Sequence, residues 1–263
     1  MADLTLIKLG GSLITDKRVE RAFRSDRADA IAHAVRSSLD TAADLRLIIG
    51  HGSGSFGHMA AKRHGTIRGV AGEEAWRGFA EVALAASALN ALVAESFAAA
   101  GISVMRFQPS SGTICADGVL THWDFSNLQA ALTAGLVPLV YGDVAFDAVR
   151  GGTITSTEAL FFYLAERLPV RRILLLGEVE GVLDSAGHLI EHITPATLSD
   201  VEAALGGSAG TDVTGGMETK VRDMVELVQR VPGLEVRILD GRDPNRLVRV
   251  LTDESSEGTL ISD

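Results

Sequence analysis

The chain has 263 residues, 46% hydrophobic and 22% charged, which fits one sizeable α/β domain with a buried core. A formal net charge of −10 argues against non-specific binding to nucleic acid or an anionic membrane, so an anionic ligand would need a local positive pocket. The single cysteine, Cys115, rules out an intramolecular disulfide, reads as a small buried hydrophobe and fits a cytoplasmic location. The opening MADLTLIKLGG lacks the pattern of a signal peptide, and no uninterrupted apolar run approaches the roughly 18 residues of a membrane span.

Strands and helices alternate along the chain. Leu4–Leu9 reads as a buried strand. A helix is expected over Asp26–Ala43, with Ala30, Ile31, Ala34, Val35 and Leu39 near helical spacing and Ser25 as its cap. Leu45–Ile49 is a second strand that ends in a glycine-rich turn. Glu73–Ala100 is one long helix or a helix pair, stopped by Gly101. Strand Ser103–Phe107 leads into an irregular segment with a hairpin signal at Asp117-Gly118. A helix over Asn127–Ala134, a strand over Val137–Tyr141 and a helix over Ser156–Leu168, capped by Ser156 or Thr157, come next. Strand Arg172–Leu176, helix Met217–Val231, strand Val236–Leu239, helix Asn245–Leu251 and strand Thr259–Ser262 complete the order.

Strands separated by helices of this length imply parallel pairing with helices on both faces, a three-layer αβα sandwich with a mainly parallel central sheet. No repeat or linker is visible. The expectation is a single domain over 1–263, divided in function between a part up to 169 and a part from 170.

Three segments carry candidate chemistry. In the first, a strand runs into Lys8-Leu9-Gly10-Gly11-Ser12, with Lys17 beyond it. The glycines let backbone amides approach phosphate oxygens, and Lys8 can offset charge on a transferring phosphoryl group. A surface lysine before an ordinary turn is the plainer reading, but burying a lysine inside an apolar strand is costly. The second is His51-Gly52-Ser53-Gly54-Ser55-Phe56-Gly57-His58, a formal G-x-G-x-x-G. The rest of a dinucleotide-binding unit is poor, because no acidic residue ends a strand about 20 residues on. His58 suits an anionic group held by the loop amides. The third, Asp212–Lys220, opens a helix with Gly215-Gly216 and places Lys220 about one turn in, with Thr214 as a possible cap. No P-loop, Cys/His cluster or H-E-x-x-H is present, so no protein-held metal site is expected.

Taken together, Lys8–Ser12 with Lys17, His51–His58, Tyr141–Val144, Asp212–Lys220 and the closing Gly258–Ile261 resemble the amino acid kinase superfamily, and within it the isopentenyl phosphate kinase family. The likeness runs from about residue 5 to 262, and His58 is its discriminating feature. The resemblance implies ATP with Mg²⁺ and direct in-line transfer of the γ-phosphoryl group to isopentenyl phosphate, giving isopentenyl diphosphate. It makes residues 1–169 the substrate side and 170–263 the nucleotide side. Lys8 and Lys17 would stabilise the transferring group, Lys220 would hold ATP phosphates, and His58 would bind the substrate phosphate. Gly10, Gly11, Ser12 and Gly216 would line the nucleotide with Glu178 and Gly181. Gly52, Ser53, Gly54, Gly142 and Asp143 would lie at the substrate phosphate. The family also implies a homodimer, with no nucleic-acid or membrane partner.

Three departures from the family pattern bear on the nucleotide side. Ser53 replaces the middle of three glycines, Ser156-Thr157-Glu158 stands for Ser-Gly-Asp, and Gly177–Gly181 reads Gly-Glu-Val-Glu-Gly where Thr-Asp-Val-Asp-Gly is usual. The alternatives are a phosphonate kinase of the fosfomycin-kinase type, a nicotinamide-dependent oxidoreductase and a non-catalytic nucleotide-binding protein. For the organic tail, Trp76, Phe79, Val82, Ala83 and Ala86 form a helical stripe. Ordinary core packing explains such a stripe equally well; Phe79 and Val82 are the expected pocket walls.

Overall fold

The computed structural model describes residues 4–205 and 216–263. In chain order the first elements are β1 (Leu4–Leu9), α1 (Gly11–Ile14), α2 (Ser25–Thr41), β2 (Arg46–His51), α3 (Gly54–His64) and α4 (Glu73–Ala99). Then come β3 (Val104–Arg106), β4 (Thr113–Ala116), β5 (Val119–Trp123), α5 (Ser126–Thr133), β6 (Val137–Tyr141), β7 (Asp143–Asp147) and β8 (Gly151–Thr155). The chain continues through α6 (Thr157–Ala165), β9 (Val170–Gly177), β10 (His192–Ile193) and α7 (Leu198–Leu205). It closes with α8 (Gly216–Arg230), β11 (Glu235–Asp240), α9 (Pro244–Leu251) and β12 (Thr259–Ile261).

The main sheet has eight strands in the order β10-β12-β11-β9-β1-β2-β6-β3, and only the β11–β12 pair is antiparallel. Alternate side chains feed two cores. Ile7, Leu9, Leu174 and Leu176 pack with α2, α4 and α9, whereas Leu4, Leu6, Ile173 and Leu175 pack with α5, α6, α7 and α8. The expected αβα sandwich is therefore present. Glu73–Ala99 is a single helix, long and apolar enough by composition to cross a membrane. Here it is a core element, because Val82, Ala85, Leu89, Val93 and Phe97 are buried against the sheet.

Some local expectations change. Ser25 is the first residue of α2 rather than its cap, and the cap position falls to Arg24 without a side-chain hydrogen bond. Ser156 does cap α6, accepting from the Ala159 amide at 3.0 Å. The glycine-rich segment after β2 is not only a turn, since α3 begins at Gly54.

A second sheet, β5-β4-β7-β8, lies over the start of α4. Its β4–β5 hairpin turns at Asp117 (φ 52°) and Gly118 (φ 83°), the two positive φ values that the Asp-Gly signal predicts. The Asp147 carboxylate ties this hairpin to the β7–β8 turn. It accepts from the amides of Asp117, Gly118, Val149 and Arg150 at 2.7–3.1 Å. Burial raises its pKa, but the four amides outweigh that and hold it at about 2. Asp147→Ala should lower the unfolding free energy at pH 7 by about 1–3 kcal/mol in urea titrations. The depressed pKa sets the sign: the carboxylate's contribution is complete above about pH 4 and is lost as pH falls through about 2. The gap between variant and wild type should therefore close across that window.

Candidate active site

Lys8 lies in the middle of the main sheet, on a strand whose six residues are all buried, flanked by Gly50 on β2 and Leu175 on β9. It is 9% exposed, so its charge needs a counter-charge. Glu158, in the first turn of α6, supplies one through a short ion pair with the Lys8 ammonium. Burial pushes the Glu158 carboxyl up, while Lys8 and the more distant Lys220 pull it down, and the net shift is downward. Lys8 and Lys220 thus act on one carboxylate. The helix that carries Glu158 is seated by Thr157, whose hydroxyl donates to the His51 carbonyl at 2.7 Å. A Cβ on Gly50 would meet Thr157 Cγ2 at 2.5 Å, so a threonine is accommodated at this place because β2 offers a glycine.

Two glycine turns face each other at the carboxyl ends of β1 and β2. The Gly10 amide donates to Leu176 O at 2.8 Å and the Gly52 amide to Leu9 O at 3.1 Å. A Cβ on Gly11 would stand 2.9 Å from Gly54, so the turns touch backbone to backbone. Thr15 clips them together: its hydroxyl donates to Gly11 O at 2.6 Å and accepts from the Ser55 amide at 2.9 Å. Among the described residues, none accepts from the amides of Gly11, Ser12, Ser53 and Gly54. Ser53 has ordinary helical angles (φ −70°, ψ −6°), so its Cβ is tolerated; Gly57 makes the room, since a Cβ there would lie 2.5 Å from Ser53 Cβ. Gly54, at φ 49°, is where glycine is required.

His58 sits one turn into α3 and is exposed. Its Nδ1 lies 3.0 Å from Gly54 O and 3.3 Å from Ser53 Oγ, which leaves Nε2 on the outer side of the ring. Gly142 joins this group by donating to the His51 carbonyl at 3.0 Å. Asp143 turns inward: it is 1% exposed and accepts from the amides of Ser110 and Val144 at 3.1 and 2.8 Å. Burial raises its pKa, partly offset by those hydrogen bonds.

Lys17 is exposed on a short hairpin closed by the Thr15–Phe23 bridge and set against Ser55, whose hydroxyl accepts from the Ala22 amide at 3.3 Å. On the other side, Glu178 follows β9 and accepts from Arg24 at 2.7 Å, while Arg24 also donates to Ser12 O at 3.1 Å. The carboxylate is therefore joined to the Gly10–Ser12 turn. Gly181 packs on β12, where a Cβ would meet Thr259 Oγ1 at 2.5 Å. Gly216 opens α8 at φ 66° and Lys220 is half-buried one turn on, whereas Asp212–Gly215 lie outside the described residues. Phe79 and Val82 are 7% and 3% exposed and belong to the core. Phe79 also meets Trp76 and Phe146 at ring distances of 5.2 and 5.4 Å, and those two are partly exposed.

Arg24 and Thr15 carry no signal in the sequence, and Glu158 stands out there only as a departure from the family's Ser-Gly-Asp, not as the partner of Lys8. A lysine in an apolar strand announces the need for a carboxylate, but the partner lies 150 residues away. No group of three or more His, Cys, Asp or Glu that could hold a metal occurs among the described residues.

The amino acid kinase family model matches residues 3–240. The isopentenyl phosphate kinase of Methanothermobacter thermautotrophicus is 34% identical over 98% of this chain and 99% of its own. That of Haloferax volcanii is 38% identical over 85% of this chain and 88% of its own. The chain belongs to the amino acid kinase family, in its isopentenyl phosphate kinase group. A crystal structure of an isopentenyl phosphate kinase superposes with a TM-score of 0.82 at 28% identity, covering 98% of this chain and all of the other. The product complex of the Thermoplasma acidophilum enzyme gives 0.77 at 25% identity over 98% of this chain and 99% of its own.

Glu158→Gln removes the counter-charge and strands the Lys8 ammonium. We expect urea unfolding to show a loss of about 1–3 kcal/mol, discounted from a fully buried pair because Glu158 is 23% exposed. Glu158→Asp, which keeps the charge, should lose less.

Proposed function

We propose that this protein phosphorylates isopentenyl phosphate with ATP, giving isopentenyl diphosphate by direct in-line transfer. One observation carries the reading: the Lys8 ammonium, held by Glu158, lies beside two facing glycine turns with four amides that have no acceptor among the described residues, and His58 stands at the start of α3. The relatives named above carry the same activity in their names.

The chemistry asks for little beyond placement. A phosphate oxygen of the acceptor is ionised near neutral pH, so no strong general base is required. The obstacle is repulsion between two polyanions. In this reading His58, with Nδ1–H on Gly54 O and a second proton on Nε2, donates from Nε2 to the acceptor phosphate beside the Ser53 and Gly54 amides, with Gly52, Gly142 and Asp143 shaping its seat. Gly10, Gly11, Ser12, Gly216 and Lys220 take the nucleotide phosphates, with Glu178 and Gly181 bordering the nucleotide. Lys8 and Lys17 offset charge on the group in flight. Mg²⁺ would enter with the nucleotide and neutralise phosphate charge. The aromatic group of Trp76, Phe79 and Phe146, with Val82 beneath, would wall the isoprenoid tail. The family resemblance also supports a homodimer, and a buried free Cys115 fits a cytoplasmic setting.

A coupled assay of ATP consumption with isopentenyl phosphate, dimethylallyl phosphate, fosfomycin, UMP and N-acetylglutamate tests the proposal. Turnover should be greatest with isopentenyl phosphate, and no turnover with any isoprenoid monophosphate would refute it. His58→Ala should raise KM for the monophosphate by at least about tenfold, the worth of a charge-assisted bond of roughly 1.5–3 kcal/mol, with little change for ATP. Equal effects on both substrates would mean the role is misassigned. Phe79→Ala or Val82→Ala should improve turnover of longer prenyl monophosphates; an unchanged chain-length preference would count against the pocket.

A further inference from the structure

A buried polar chain ends on the second glycine turn and has no part in the roles above. His51, the last residue of β2, and Asn90, on α4, are both 0% exposed. His51 Nδ1 lies 2.9 Å from Gly52 O, and His51 Nε2 lies 3.0 Å from Asn90 Nδ2. Asn90 Oδ1 accepts from Arg106 Nε at 2.7 Å. Arg106 is exposed and also donates to the Ser87 carbonyl and hydroxyl at 3.3 and 3.2 Å.

Donor and acceptor identities leave one direction for this chain. A guanidinium only donates, so Asn90 turns its oxygen toward Arg106 and its NH₂ toward His51. Nε2 must then accept. A carbonyl only accepts, so Nδ1 carries the proton toward Gly52 O. The ring is the neutral Nδ1–H tautomer. Burial, with the nearby charges of Lys8 and Arg106, pushes its pKa down to about 4, which keeps it neutral at physiological pH. Stacking on Tyr141, with centroids 5.7 Å apart and planes 10° apart, holds the ring plane.

The consequence falls on one peptide unit. The oxygen of the Gly52–Ser53 peptide receives the His51 bond, while its N–H, that of Ser53, has no acceptor among the described residues. Hydrogen bonding at a peptide oxygen draws electron density from the nitrogen and makes the N–H a stronger donor, and linked bonds reinforce one another. We propose that Arg106, Asn90 and His51 are a relay of positioning residues that orients and polarises the Ser53 amide toward the phosphate of the acceptor. The proposal rests on the reading that the acceptor phosphate sits on this turn. It makes Arg106, on β3 and outside every recognised motif, a contributor to phosphate affinity without contact.

Arg106 is the place to test it, because an exposed side chain can be replaced without opening the core. Arg106→Met should raise KM for isopentenyl phosphate about three- to tenfold while KM for ATP stays within about twofold. Arg106→Lys, which restores a charged donor to Asn90, should recover most of the loss. In ¹⁵N NMR, wild-type His51 should carry its proton on Nδ1 at pH 7, and the Ser53 amide proton should move upfield in Arg106→Met. Equal changes in both KM values, a lysine variant no better than methionine, or a proton on Nε2 would each overturn the relay. If the wild-type protein turns over no isopentenyl phosphate, the functional reading fails separately. The tautomer, the Ser53 shift and a titration with inorganic phosphate in wild type against Arg106→Met still decide the relay.

Discussion

An ammonium in the middle of a parallel sheet is the constraint around which this fold is arranged. Lys8 has a residue of a neighbouring strand on each side and almost no solvent, so the sheet can hold it only with an anion beside it. Glu158 meets that need from the first turn of α6, and the position of α6 is in turn set by Ser156 as its cap and Thr157 bonding back to β2. Gly50 completes the arrangement by leaving the space that Thr157 fills. A structural requirement of the sheet thereby places a cation, pre-oriented, at the edge where ligands of open α/β sheets bind.

Beside this pair the ligand surface is backbone. Gly11 packs on Gly54, Thr15 holds the two turns in register, and the amides of Gly11, Ser12, Ser53 and Gly54 have no acceptor among the described residues. Amides add no net charge, which suits a protein of net charge −10 that must still attract two polyanions. Two of the side-chain cations here are matched by carboxylates: Lys8 by Glu158 and Arg24 by Glu178. What the two glycine turns add beside these pairs is local and directional, carried by amide dipoles. The chain from Arg106 through Asn90 and His51 to Gly52 extends the same principle inward, delivering a distant charge through neutral groups.

Periodicity made the strands and long helices legible, because a parallel sheet between two helical layers requires apolar runs alternating with 3.6-residue patterns. It failed where tertiary contacts override local preference. The start of α3 is hidden by glycines needed for close approach at Gly54 and for Ser53 at Gly57. Ser25 looked like a helix cap, but α2 begins at Ser25 itself, after Arg24, whose guanidinium is committed to Ser12 and Glu178. The Phe79 and Val82 stripe could be read as pocket or core from sequence; in the fold both residues are buried, with Trp76 and Phe146 beside Phe79 presenting the more accessible aromatic surface.

What the sequence determined by itself was the inventory: a lysine inside an apolar strand, two glycine turns, a histidine after the second and a lysine at the start of a late helix. Local spacing suffices there, because each motif is a short piece of chain whose chemistry needs only its own neighbours. The partners were decided by tertiary structure alone. Glu158 for Lys8, Glu178 for Arg24 and Arg106 for Asn90 and His51 come from separate elements. Charge and hydrogen bonding act through space, and only the closed sheet brings those side chains within reach of one another.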